Sequence, residues 1–149
     1  MKETEHGPTE EVGRLEKPKA EWRELLPSDG YQVLFEEGTE PPGTSSLNGE
    51  KERGTYVCAA CCLPLFTSET KYESGTGWPS FYDGIPGHLE TKRDFKHVLP
   101  RTEYHCARCG GHQGHVFKDG PRPTGKRYCN NGVALRFVAE GKPLPDLRE

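Results

Sequence analysis

The sequence predicts a mainly β domain built from antiparallel strands and long loops, entered through a short helical segment. Three observations carry that expectation. After Tyr31 the apolar residues come in short β-rich runs, YQVLF, GTYVCA, HVLPRTEYHC and VALRFV. Between the runs stand turn formers, of which the chain has 18 Gly and 13 Pro. Four cysteines fall into two C-x-x-C pairs, Cys58 with Cys61 and Cys106 with Cys109, so that one metal ion could staple distant parts of the chain together.

Residues 1–18 are charged, nearly free of aliphatic side chains, and lead into EKPKA. Such a composition buries too little apolar surface to offset the entropy of ordering, which predicts a loose tail ahead of a single domain over residues 19–149. In KAEWRELLP, Trp22, Leu25 and Leu26 follow the i, i+3, i+4 rhythm between Pro18 and Pro27, the pattern of one short helix. The stretch EEGTEPPGTSSLNGEKERG, Glu36 to Gly54, has no apolar period and two adjacent prolines, and is expected as a surface connection. No internal repeat is visible.

The 149-residue chain has a formal net charge of −3, which gives no electrostatic reason to expect nucleic acid or an anionic membrane as partner. Its first residues, MKETEHGPTEE, lack the basic-then-apolar pattern of a secretory signal, and no run approaches the roughly 18 apolar residues that would span a bilayer. The expected location is therefore cytoplasmic, with a monomer as the default. In a reducing compartment, six cysteines point to metal ligation or reactive thiols and away from a disulfide framework.

The two-residue gap in each pair lets both thiolates reach one zinc ion at a Zn–S distance of about 2.3 Å while turn N–H groups stabilise the sulfurs. Gly110 and Gly111 suit such a turn after the second pair. A closed four-thiolate site is structural, since catalytic zinc keeps a position open. Chemistry must then lie elsewhere. Cys62 and Cys129 remain. In GKRYCNNGVALRF, a strand running straight through would put Cys129, Asn131, Val133, Leu135 and Phe137 on one face; a small buried hydrophobe is the equally weighted reading of that cysteine. HQGHVFKD carries His112 and His115, an H-x-x-H that needs further ligands to hold metal and is more often a satisfied structural pair. GTGWPSFYDG places Trp78 and Phe81 among Gly and Pro, as an aromatic plug or a binding platform.

Taken together, EEGTEPP, the two cysteine pairs, PLF, SGTGWPSF, HQGHVFKDGPRPTGKRYC, Asn131 and LRF resemble the methionine-R-sulfoxide reductases of the B type, from about Trp22 to Val138. The resemblance implies two antiparallel β-sheets clamped by zinc, with short N-terminal helices. It also implies Cys129 as the nucleophile and Trp78, His112, His115 and Asn131 as active-site residues. The chemistry suits those residue types. Sulfoxide sulfur is electrophilic, and its reduction needs a thiolate together with a proton donor for the departing oxygen, which Cys129 and either histidine can supply. The Trp78 face would take the S-methyl group while histidine and Asn131 hold the polar side. The resemblance assigns the R epimer and a thioredoxin-like dithiol as reductant.

Two departures stand out. Many members carry a cysteine where this chain has Thr76, and that cysteine resolves the sulfenic acid as a disulfide; many have glycine where this chain has Cys62. With four cysteines on zinc, Cys62 becomes the candidate resolving thiol for Cys129. The alternatives from other classes are a zinc-stapled binding module without turnover and a thiol redox switch.

Overall fold

The computed structural model describes residues 13–95 and 101–149. Two helices come first, α1 (Lys19–Leu25) and α2 (Ser28–Glu36). Pro27 separates them by forcing Leu26 into an extended conformation, which ends α1 at Leu25, two residues before the proline. The run YQVLF is helical here, not a strand. Its alternation Tyr31, Val33, Phe35 suggests β, but Tyr31, Leu34 and Phe35 also stand at i, i+3, i+4, and tertiary packing selects that face. Phe35 stacks on the buried Trp22 with ring centroids 4.8 Å apart.

Among the described residues, nine strands form two antiparallel sheets. Strands β1 (Gly54–Cys58), β2 (Pro64–Thr67) and β9 (Leu135–Ala139) form the smaller sheet, in the order β2-β1-β9. The larger sheet runs β3-β4-β8-β7-β6-β5. Its members are β3 (Lys71–Tyr72), β4 (Ser80–Phe81), β5 (Leu89–Asp94), β6 (Arg101–Cys106), β7 (His112–Phe117) and β8 (Arg127–Asn130). The mainly β class, the two antiparallel sheets and the short N-terminal helices are thus as the sequence implies. Aromatic rings fill the space between the sheets. Phe66 stacks on Phe81 at 4.1 Å, Tyr56 meets Phe81 edge-on at 5.0 Å, and Tyr104 meets Tyr128 at 5.1 Å. Such pairs each contribute about 0.5–1.5 kcal/mol beyond the area they bury.

The strand expected to run straight through Cys129 to Phe137 is broken. A 3-10 turn at Gly132–Ala134 ends β8 and carries the chain into β9 of the other sheet, so Cys129 and Leu135 belong to different sheets. The connection over 36–54 is also more than a surface loop, because Glu40 within it is only 6% exposed. Residues 1–12 of the expected tail lie outside the described residues. Residues 13–18 run beside the second cysteine pair, where the Leu15 N–H donates to the Arg108 carbonyl at 2.8 Å. No helix among the described residues is long and apolar enough to cross a membrane.

Candidate active site

Strand register assembles a polar row across the larger sheet. Lys92 in β5 pairs with Glu103 in β6, Glu103 with His115 in β7, His115 with Cys129 in β8, and Cys129 with Ser80 in β4. Directly opposed residues share a face, so these five side chains lie in line. The opposite face turns Tyr104, Tyr128 and Phe81 into the aromatic core. His112 and His115, three apart, would point to opposite faces of a regular strand. A β-bulge cures this. Tyr104 pairs with Gly114 and His105 with His112, leaving Gln113 as the extra residue. The two imidazoles consequently lie on one side, edge to face, with centroids 5.5 Å apart. Close approach of β7 and β8 also requires glycine at 114, where a Cβ would collide with the Cys129 carbonyl.

Cys129 is half-buried at a cavity of about 300 Å3 that Thr76, Trp78, His115, Arg127 and Asn131 help to line. Burial pushes its thiol pKa up, while a hydrogen bond from Thr76 and the Arg127 guanidinium pull it down. Arg127 stands two residues before Cys129 on the same strand face. It is held by a bidentate pair to Asp119, at 2.9 and 3.2 Å, and by the Phe117 ring 4.3 Å beneath it.

The two histidines differ in environment. His115 Nε2 lies 2.9 Å from Asp94 Oδ2. Because a carboxylate only accepts, Nε2 carries the proton of that bond. Burial holds the His115 pKa below its ordinary value, against the opposing pull of Asp94. The ring is therefore neutral near pH 7 and its Nδ1 keeps a lone pair. His112 Nδ1 lies 3.2 Å from Glu103 Oε1, and its ring opens to a different cavity, beside α2.

Trp78 and Asn131 are both tied to the Glu40 loop. The Trp78 indole N–H donates to the Glu40 carbonyl at 3.0 Å, which fixes the ring at the cavity that it helps to line. Asn131 Oδ1 accepts from the Glu40 N–H at 3.0 Å, and its Nδ2 donates to the Gln113 carbonyl at 2.9 Å. One amide hydrogen of Asn131 is left for a ligand. The buried Glu40 carboxylate accepts from the Gly132 and Val133 N–H groups at 2.7 and 3.0 Å, pinning the turn after β8. Glu40→Ala is expected to destabilise the fold by about 2–4 kcal/mol, since two buried N–H donors lose their acceptor. Chemical denaturation of the metal-loaded protein measures this; a change below about 0.5 kcal/mol, the range of a neutral surface substitution, would sink it.

The four paired cysteines meet at the junction of the sheets, Cys58 at the end of β1 and Cys106 at the end of β6, and all four sulfurs lie within 4.8 Å of one another. Cys58 and Cys109 sulfurs are 3.7 Å apart, and Cys61 and Cys106 sulfurs 3.5 Å apart. A tetrahedron with metal–sulfur bonds of about 2.3 Å has edges of about 3.8 Å, so the cluster fits a four-thiolate metal site. Hydrogen bonds with the Cys106 sulfur hold the Cys61 thiol below its ordinary range and push Cys58 and Cys109 up, a conflict that a cation removes. Sulfur acceptors are served from outside the cluster by the Ala60 and Gly111 N–H groups, both at 3.4 Å, and by Gln113 Nε2 at 3.5 Å.

Comparison with known proteins agrees with this architecture. The SelR domain matches residues 26–139, well over half of the chain. The chain belongs to the SelR family. It is 52% identical over 127 residues to the peptide methionine sulfoxide reductase MsrB of Methanosarcina barkeri, covering 85% of this chain and 89% of that one. The enzyme of the same name from Leptospira interrogans is 49% identical over 127 residues, covering 85% and 97%. That of Agrobacterium fabrum is 50% identical over 125 residues, covering 83% and 93%.

All six cysteines fall within the SelR match. Cys62 follows the first pair directly and is left-handed, with φ at +74°, a conformation that costs an L-residue about 1 kcal/mol and that glycine adopts freely. Its sulfur lies 4.0 Å from an Arg136 guanidinium nitrogen and opens to a cavity shared with His88, Arg108 and the C-terminal Leu144 and Leu147. That cavity and the Cys129 cavity have no lining residue in common. The sequence reading did not single out Glu40, Asp94, Glu103 or Arg127. Strand alternation from Cys129 would have found Arg127; the others come together only through register and loop packing.

Proposed function

We propose that this protein reduces the R epimer of methionine sulfoxide, free or in proteins, to methionine. The observation that carries this reading is the cavity that one half-buried thiol, Cys129, lines together with a neutral histidine and a tryptophan fixed by its indole N–H. His115 takes the Cys129 proton at Nδ1, and the thiolate attacks the sulfoxide sulfur. The oxygen takes up the proton and passes to the Cys129 sulfur, so that the substrate S–O bond and the transient S–S bond break as a new S–O bond forms on Cys129, and the products are methionine and a Cys129 sulfenic acid. His115 is preferred to His112 for this role because it borders the cavity and Asp94 fixes its tautomer. The Trp78 face receives the S-methyl group, and the remaining Asn131 amide hydrogen points the oxygen away from it.

Regeneration takes two electrons from a thioredoxin-like dithiol. Cys62 attacks the sulfenic acid, releasing water and forming a Cys62–Cys129 disulfide; the first thiol of the dithiol opens it to a mixed disulfide, and the second releases the protein thiol as the dithiol's own disulfide forms. Cys62 is the proposed internal resolving thiol. A disulfide requires Cα atoms within about 7 Å, and two thiols that open to separate cavities meet only if the knuckle turn or β8 moves in each cycle. The ion held by Cys58, Cys61, Cys106 and Cys109 is proposed to be zinc, which supplies a closed structural clamp when bound. Six unpaired cysteines suit a reducing, cytoplasmic setting.

The test supplies each methionine sulfoxide epimer in turn, with excess dithiol, and measures methionine. Release from the R epimer alone is expected. Release from the S epimer, or none from either, would overturn the assignment.

A further inference from the structure

Behind Cys129 lies a chain of hydroxyls. Thr76 Oγ1 is 3.9 Å from Cys129 Sγ, Ser74 Oγ is 2.8 Å from Thr76 Oγ1, and Ser80 Oγ is 2.7 Å from Ser74 Oγ. Ser80 is also 3.2 Å from the Trp78 carbonyl, and the Trp78 N–H reaches Thr76 Oγ1 at 3.4 Å. Resting on the reading of Cys129 as the nucleophile, we propose that Ser80, Ser74 and Thr76 form a hydroxyl relay whose last member donates to the Cys129 sulfur and stabilises its thiolate. Thr76 touches the reacting atom and is a catalytic residue in this sense; Ser74 and Ser80 position it.

The bond directions follow from the donor inventory. A thiolate only accepts, so with Cys129 ionised the Thr76 hydrogen points at the sulfur, Ser74 donates to Thr76, and Ser80 donates to Ser74. With Cys129 protonated, its S–H can donate to Thr76, Thr76 to Ser74, and Ser74 to Ser80, whose own hydrogen turns to the Trp78 carbonyl. Each state leaves every hydroxyl hydrogen an acceptor. The relay changes polarity by rotation alone, so the site need not rebuild when the thiol ionises.

Other charged and titratable groups also face the sulfur. Arg127 adjoins it on β8, His115 pairs with it from β7, Arg101 borders the same cavity, and Glu40, Tyr72 and Tyr104 act at longer range. Arg127 shares the stabilisation of the thiolate through its charge and its own hydrogen bond to the sulfur, while Asp119 holds the guanidinium in place.

The experiment follows alkylation of Cys129 by iodoacetamide from acid to alkaline pH, read by mass spectrometry of the Cys129 peptide in the metal-loaded protein. Thr76→Val keeps the shape and removes the hydroxyl. It is expected to slow alkylation about tenfold below the pH at which the thiol titrates and to leave the alkaline plateau unchanged, because a hydrogen bond to an ion has been lost and access has not. Thr76→Ser should restore the wild-type profile, and Ser74→Ala should fall between. A Thr76→Val profile that matches wild type overturns the relay, as does equal slowing at every pH, which would make Thr76 a steric wall. Turnover that survives Cys129→Ser would defeat the nucleophile assignment instead, while the titration of Cys129 still reports on the relay.

Discussion

Cys129→Ser is expected to lower turnover by about 10^4-fold or more while leaving metal content and fold unchanged. A hydroxyl at this position ionises far less readily than a thiol and is the poorer nucleophile toward sulfur. No other described residue at the cavity replaces it, since Thr76 is tied into hydrogen bonds with Ser74 and Trp78 and His115 has no covalent route to methionine. The loss should appear in kcat, because Trp78 and Asn131, the residues proposed to hold substrate, are untouched. Stability should change by less than about 1 kcal/mol: the side chain is half-buried and its hydrogen bonds with Thr76 and Arg127 can be remade by serine. A single turnover without reductant, followed by sulfenic acid trapping and peptide mapping, locates the oxidised sulfur. It should be on Cys129 in Cys62→Ser, and in wild type it should proceed to a Cys62–Cys129 disulfide if Cys62 resolves. Unchanged dithiol-driven recycling in Cys62→Ser would remove Cys62 from the cycle, and trapping at any other cysteine would move the nucleophile.

The metal cluster was the most legible part of this protein, because C-x-x-C spacing is local and two copies at a distance constrain each other. Strand content was legible from alternation and turn residues, but YQVLF satisfies both periods, and only the stack on Trp22 decides for helix. The break after Cys129 was hidden because VALRFV continues the alternation, while what ends the strand, the grip of Glu40 on Gly132 and Val133, comes from a loop some ninety positions earlier. The roles of His112 and His115 could not be separated by sequence for a similar reason. Their common face depends on the Gln113 bulge, and their difference depends on Asp94 and Glu103, which arrive from two other strands. Side chains that act on their own strand are readable; those that act across sheets are not.

Gln113 also explains why the distant metal site should matter to the chemistry, which is the second large effect expected. Its side chain donates to the Cys58 sulfur and accepts from Asn130 Nδ2 at 3.0 Å, and Tyr104 donates to Asn130 Oδ1 at 2.7 Å. Its backbone carbonyl accepts from the Asn131 N–H at 2.9 Å. One buried residue thus spans a metal ligand and the two residues that follow Cys129. Stripping the metal leaves four sulfurs crowded in a protein interior, where like charges cannot coexist and protonated thiols make poor acceptors for the Gln113 amide. The same cluster joins the end of β1 to the end of β6, so its loss removes a tie between the two sheets and leaves the aromatic core to hold them. Replacing any one of Cys58, Cys61, Cys106 or Cys109 by Ser, or removing the metal by chelation, is therefore expected to destabilise the fold by several kcal/mol, since metal-binding free energy in such a site is folding free energy. Activity should fall along the same chelation curve as metal content and near-ultraviolet circular dichroism. Readdition of zinc to the wild-type protein should restore all three. Full activity in protein shown by elemental analysis to hold no metal, or a Cys58→Ser variant with the wild-type denaturation midpoint, would show that the four sulfurs do not clamp the sheets.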